Sequence, residues 1–218
     1  MIVKTRDWLV RLAGTVGLRS HGWKRLDGVY TWSGHGWGAR PVPESLAYHS
    51  FNRKLLADAL AGRRFRRSLE IGCGFGAQTP WIAEQSDEAH AIDANDEVLR
   101  EAQRWYRSVR FQRARVQDLP FPNSHFDLVV SWTVLQHIPP EDIEAAASEI
   151  RRVLAGDGVL LLFESMKEKR SRPPVWYRSR AWYEDLLQPL ALVRRLPRES
   201  VSGRPEAMDL LRFEALDP

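Results

Sequence analysis

The chain has one cysteine and three methionines in 218 residues. Cys73 has no partner for an internal disulfide and no companions for a thiolate-bound zinc. That usage fits a reducing compartment, so a cytoplasmic protein without a metal is expected. No apolar run approaches the roughly 20 residues that a membrane helix needs. The amino-terminal stretch MIVKTRDWLVRLAGTVGL is interrupted by Arg11, too short and too polar for a signal peptide. Its Trp8, Leu9, Leu12 and Val16 instead predict a short amphipathic helix. A large excess of one charge is missing too: 32 basic residues stand against 28 acidic ones, for a net +4. The two signs are interleaved, which does not indicate a dedicated nucleic-acid surface. There is no internal repeat and no low-complexity tract.

What is present is an ordinary globular composition, 44% hydrophobic and 28% charged, of a length that suits one domain. A chain of this size buries roughly 70% of the surface its unfolded form exposes, enough for a core without staples. From Ser68 to Glu164 strand-like and helix-like segments alternate. SLEIG, AHAID, VRFQRARVQ, FDLVVSW and GVLLLFE read as strands. Between them, Thr79 is expected to cap a helix with Pro80 in its first turn, and Asn95 to cap another with Val98, Leu99, Ala102 and Trp105 along one side. PEDIEAAASEIRRVL reads as a helix opened by Pro140 and ended by Gly156. This alternation predicts a parallel sheet with helices on both faces.

Beyond Glu164 come the basic linker KEKRSR at 167–172, a helix in VWYRSRAWYEDLLQ, and two strands, LALVRRLPRE and AMDLLRFEAL. The short turn at 202–205 makes those strands antiparallel. Residues 1–67, rich in aromatics and ending in the helix FNRKLLADAL, read as a cap or lid on a 68–164 core, with 165–218 as linker, helix and hairpin.

Two glycine triplets share one spacing, Gly34-Gly36-Gly38 and Gly72-Gly74-Gly76. Glycines between a strand and a helix let a ligand reach the main chain and the free N–H groups of the helix start. Only the second triplet sits there; the first runs into Arg40, Pro41, Val42 and Pro43 and reads as a loop. Spacing alone is ambiguous, because Gly72, Gly74 and Ala77 also satisfy the dinucleotide fingerprint, and Asp93 lies where an acid holds ribose hydroxyls. Two further acids narrow the choice. Glu70 lies inside the strand before the glycines, where a dinucleotide site usually carries an apolar residue, and Asp118 ends the third strand.

With those acids in place the chain resembles the class I S-adenosylmethionine-dependent methyltransferases, in particular those acting on small molecules. LEIGCGFG is similar to the family's first motif and AIDAN to its second. VQDLPFP followed by FDLVVSWTVLQHI resembles the adenine-side loop and fourth strand, and EIRRVLAGDGVLLLFE the next helix and strand. The resemblance covers residues 68–164 firmly and the final hairpin loosely. It implies a Rossmann-like three-layer α/β sandwich whose seven-stranded, mostly parallel sheet has the order 3-2-1-4-5-7-6, the last strand antiparallel.

The resemblance also implies a cofactor, S-adenosyl-L-methionine, leaving as S-adenosyl-L-homocysteine, and a set of residues to hold it. Gly72, Gly74 and Gly76 would lie under its methionine and ribose, with Glu70 at the inner edge. Asp93 would take the ribose hydroxyls and Ala94 would lie against the adenine. Asp118 would meet the adenine amino group, framed by Gln117 and Leu119. Ser131 and Trp132 would face the sulfonium.

His137, after the fourth strand, is the candidate general base; His35 and His49 are weaker ones. Tyr48 and Phe51 in the cap, and Tyr177, Arg178, Trp182 and Tyr183 near the linker, are candidates for the acceptor pocket. The expected acceptor is a small molecule, oxygen ahead of nitrogen and anionic or glycan-like if the basic linker meets it, and the expected state is a monomer or homodimer. Methylation of RNA or protein, a non-catalytic relative and an NAD-dependent oxidoreductase are the competing readings.

Overall fold

The computed structural model describes residues 23–26, 29–32, 43–166, 171, 174–199 and 205–215. The main chain alone is described before residue 52 and at 198–199 and 205–207. The expected helix at 8–16, His35, the 34–38 glycines, the 202–205 turn and nearly all of the basic linker lie outside these residues.

Two short strands, β1 (Trp23–Leu26) and β2 (Val29–Trp32), pair antiparallel, a hairpin the sequence did not suggest. Helix α1 (Pro43–Leu60) follows, longer than the expected FNRKLLADAL segment. The main sheet then runs, edge to edge, β5 (Arg110–Arg113), β4 (Ser86–Asp93), β3 (Phe65–Ile71), β6 (Phe126–Trp132), β7 (Leu154–Ser165), β9 (Pro205–Ala215) and β8 (Leu190–Glu199). Counted along these seven strands, the order is the expected 3-2-1-4-5-7-6. The last strand is antiparallel to both of its neighbours.

β6 occupies the centre because six of its seven residues are buried. The exception, Asp127, accepts the backbone N–H groups of Arg66 and Arg67 at 2.8 and 2.7 Å, tying the start of β3 to its neighbour. On one face, Leu55, Leu56, Ala59 and Leu60 of α1 join Ile82 of α2 (Thr79–Glu84) over Leu128, Val130, Val159 and Leu161. On the other, Ile143, Ala146, Ala147, Ile150 and Val153 form the apolar stripe of α4 (Ile143–Val153), and Leu186 of α5 (Arg180–Leu186) joins them. α1 is therefore a structural layer of the sandwich, and β3 begins at Phe65, three residues ahead of the Ser68 expected from the sequence.

Asn95 caps α3 (Asp96–Trp105) as expected, its side chain accepting from the N–H of Glu97. Thr79 does not cap α2: Gln78 holds that position, and the Thr79 hydroxyl donates to Glu70 instead. Gly156 does not end α4; the helix stops at Val153 and the glycine lies inside β7. Trp105 leaves the stripe formed by Val98, Leu99 and Ala102 and stays 59% exposed, its indole N–H donated to Glu101. The third strand stops at Arg113, with only a bridge between Arg115 and Asp118 beyond it. The carboxy-terminal helix is short because Ser179 caps it, accepting from the N–H of Trp182.

Candidate functional site

Parallel register brings the carboxyl ends of β3, β4 and β6 level. Ile71 lies opposite Ile92 on one side and Ser131 on the other. Gly72, Asp93 and Trp132 thus stand one residue further along, at the rim where ligands bind in sheets of this kind.

The glycine turn after β3 has all three glycines at positive φ: +66° at Gly72, +54° at Gly74 and +85° at Gly76. Their surroundings differ. A Cβ at Gly72 would collide with the Val134 side chain, and one at Gly76 would lie 2.7 Å from the Tyr106 ring. Gly74 has open space where a Cβ would stand. It is thus the place where a ligand can meet bare main chain, whereas Gly72 and Gly76 make room for the protein's own side chains.

Two acids border this turn. Asp93, half-buried, accepts the N–H of Gly74 through Oδ2 and that of Asn95 through Oδ1, both at 2.9 Å. Burial raises its pKa, and backbone hydrogen bonds from Asn95, Gly74 and Ala94 oppose the rise. Glu70 is 2% exposed and bonded to the Thr79 hydroxyl. Burial is the main reason its pKa climbs to about 8, with the Asp93 charge adding to it. Without a ligand, Glu70 is therefore mostly neutral at pH 7. Burial, then Glu70 and Asp93, also hold the Cys73 thiol well above its ordinary pKa, so it stays protonated and inert.

Around this floor the remaining expected residues are dispersed. Ala94 is half-buried, and its carbonyl accepts from Arg113. Gln117 donates to Asp142 at 3.2 Å, Asp118 is exposed, and Leu119 is buried with its N–H donated to Glu149. Ser131 is fully buried, and its hydroxyl donates to Glu164. Trp132, 7% exposed, lies in the core under α1, stacked on Phe163 with ring centroids 4.1 Å apart.

His137 sits in a 3-10 turn, Leu135–His137, and is 7% exposed. Its Nδ1 is 2.7 Å from the Pro174 carbonyl, which can only accept, so the proton sits on Nδ1. Its Nε2 is 3.1 Å from the Gln136 amide nitrogen. Burial drives its pKa down to about 4. Arg178, also buried, donates to the carbonyls of Leu135 and Ile138 at 2.8 and 2.7 Å. Tyr177 is half-buried, and Trp182 is exposed with the Arg178 guanidinium over its ring. Tyr183 is fully buried in the core. Tyr48, His49 and Phe51 fall on α1, with side chains outside the described residues.

Sequence reasoning missed Glu164, Thr79 and Tyr106. Glu164 had a readable signal, a single acid closing the apolar run VLLLF. Thr79 and Tyr106 had none, since their partners Glu70 and Gly76 are reached only through the turn.

Residues 69–158 match a family described as a methyltransferase domain. Over that segment the chain is similar to a methyltransferase domain. Among curated proteins it is 30% identical over 139 residues to a malonyl-[acyl-carrier protein] O-methyltransferase of Enterobacter lignolyticus, covering 60% of this chain and 54% of that one. It is 31% identical over 107 residues to an uncharacterized methyltransferase of Bacillus subtilis, covering 47% and 42%. The chain thus matches about half the length of these relatives. Among solved structures, the methyltransferase fold is shared with the N-methyltransferase NodS of Bradyrhizobium japonicum in complex with S-adenosyl-L-homocysteine. That match has a TM-score of 0.69 at 20% identity, covering 83% of this chain and 92% of the other. No helix among the described residues is long and apolar enough to cross a membrane.

Proposed function

We propose that this protein transfers a methyl group from S-adenosyl-L-methionine to a small-molecule acceptor. The observation that carries the reading is the floor built by Glu70, Gly74 and Asp93: open main chain flanked by two acids at the rim of a sheet with this order. The residues present fit the cofactor. Asp93 can accept from a ribose hydroxyl without giving up Gly74, because a carboxylate has about four lone-pair sites and the backbone N–H groups of Gly74, Asn95 and Ala94 leave one open. Glu70 can pair with the methionine ammonium by releasing its proton. Asp118, exposed beside the end of β5, is free to meet the adenine amino group, with Ala94, Gln117 and Leu119 around the ring.

When bound, the cofactor supplies a methyl on a positively charged sulfur, already activated for in-line displacement. The chain's task is then to align the acceptor, and positioning supplies most of the rate. The cofactor would supply the methyl with its sulfur as leaving group, and an acceptor proton, where there is one, would pass to solvent. We assign His137 a holding role, since both ring nitrogens are engaged and its pKa is far below neutrality. Arg178 likewise serves the fold, its guanidinium directed at two carbonyls and a tryptophan ring, so it gives no support to an anionic acceptor. The O-methyltransferase relative supports oxygen as the acceptor atom.

Calorimetry with S-adenosyl-L-homocysteine tests the cofactor. Saturable one-site binding is expected, and its absence in the wild type refutes the reading. Release of S-adenosyl-L-homocysteine in a coupled assay over hydroxylated and amino acceptors then identifies the substrate.

A further inference from the structure

Glu164 is 0% exposed at the end of β7, and one carboxylate there collects four donors. Oε1 accepts the Ser131 hydroxyl at 3.3 Å and the N–H groups of Val134 and Leu135 at 3.0 and 2.9 Å. Oε2 accepts the N–H of Gln136 at 3.1 Å. Three successive N–H groups, unpaired at the start of a 3-10 turn, form a concave anion site, and a side chain of the protein fills it.

The carbonyls of the same turn are held from the other side. Arg178 takes those of Leu135 and Ile138, and the N–H of Trp176 takes that of Gln136. His137 adds its bond to Pro174, so the 174–178 segment is fastened to the turn at four points. On the cofactor side, the Val134 side chain fills the space that Gly72 leaves open.

We propose that Glu164 is a positioning residue for methyl transfer, its carboxylate fixing the Val134–Gln136 turn and, through it, both the glycine turn at Gly72 and the 174–178 segment. It touches neither ligand. One buried anion thus joins the glycine turn to the 174–178 segment. The clamp itself is independent of any ligand, and only its meaning for catalysis rests on the methyltransferase reading.

Among the described residues, Asp209 lies directly opposite on β9, paired with Arg195 at 2.7 Å, and Arg178, His137 and Tyr183 are the other charged or titratable groups nearby. Burial raises the Glu164 pKa to about 7, against the pull of its four hydrogen bonds. Protonation turns one acceptor oxygen into a donor facing N–H groups, so the clamp weakens as pH falls through about 7.

The test is amide hydrogen exchange on the full chain, wild type and Glu164→Gln, corrected for intrinsic exchange at each pH. The substitution keeps size but places an NH2 against backbone N–H groups. Expected is a tenfold or greater loss of protection in peptides covering 133–138 and 174–178, with α4 unchanged. In the wild type, protection of those two peptides should fall from pH 8 to pH 6; in the variant it should be flat. Affinity for S-adenosyl-L-homocysteine should drop three- to thirtyfold, because Val134 no longer braces Gly72. Unchanged protection in either peptide, or an equal loss across the whole core, overturns the proposal. Should Glu164→Gln fail to fold, Arg178→Lys removes the opposite jaw and must loosen both peptides together; loosening of only one overturns the link. A wild type that binds no S-adenosyl-L-homocysteine refutes the cofactor reading and leaves the exchange result standing.

Discussion

The N–H of Gly74 donates to Asp93 Oδ2 at 2.9 Å, so the open residue of the glycine turn is fastened to the acid on the neighbouring strand. The floor is preorganised: the carboxylate is already aimed, by Gly74 on one oxygen and Asn95 on the other, before any ligand arrives. Removing it costs both the anchor and the ribose contact. Asp93→Ala should weaken S-adenosyl-L-homocysteine binding by about 1–3 kcal/mol, the range for hydrogen bonds to charged groups, measured by calorimetry. Unaltered affinity would remove Asp93 from the site.

The glycines separate packing from binding. Gly72→Ala meets Val134 in a left-handed conformation, so it should destabilise the fold by more than the roughly 1–2 kcal/mol of that conformation alone. Gly74→Ala carries the same backbone strain but meets no atom. Its denaturation midpoint should move less than that of Gly72→Ala, and its cofactor affinity more. The opposite ranking would mean that the cofactor lies elsewhere.

Stability should fall with rising pH between 6.5 and 8.5. Glu70 has a folded pKa of about 8 against an ordinary 4.5, so the folded state keeps a proton that the unfolded chain has lost. Glu164, at about 7, acts in the same direction on global unfolding, which frees its carboxyl to water; local loosening of its turn leaves the carboxyl buried and follows the opposite trend. His137 opposes them only below 6.5, where the unfolded chain gains a proton that the buried ring refuses until about pH 4. Thermal melts of the ligand-free protein should show the decline, and Glu70→Gln should flatten it. Calorimetry at pH 7 in buffers of different ionisation enthalpy should also show proton release on S-adenosyl-L-homocysteine binding, lost in Glu70→Gln.

The His137 imidazole should show no titration near pH 6.5 in nitrogen-detected NMR, and should hold one tautomer, protonated on Nδ1, down to about pH 5. His137→Ala should lower stability by about 1–3 kcal/mol through the lost bond to Pro174. A resonance that titrates near neutrality would restore His137 as a base.

The strands were legible because burial on both faces demands short apolar runs such as VLLLF and LVV, and their length and flanking turn residues set them apart from buried helices. The acids at 70 and 93 were legible because carboxylates at the ends of such runs have no packing purpose. What escaped was set by contacts across the sheet. Thr79 reads as a cap from its neighbours, yet its hydroxyl is drawn to a buried acid nine positions earlier. Gly156 reads as a stop, yet the chain turns into β7 before reaching it. His137 and Arg178 carry catalytic or anion-binding chemistry in isolation, and their engagement with Pro174, Leu135 and Ile138 depends on a segment some 40 residues away.

Beyond the crossover that sets β6 beside β3, chain order and spatial order also part where β9 lies between β7 and β8. Among the described residues β8 pairs with β9 alone, so it has no ladder to join when it is made. During synthesis the parallel half of the sheet can assemble while β8 waits, and β9 must arrive before the far edge exists. The Arg195–Asp209 pair between those two strands therefore forms late, and a nascent chain stalled before residue 205 would leave the outer side of β7 open to unwanted strands.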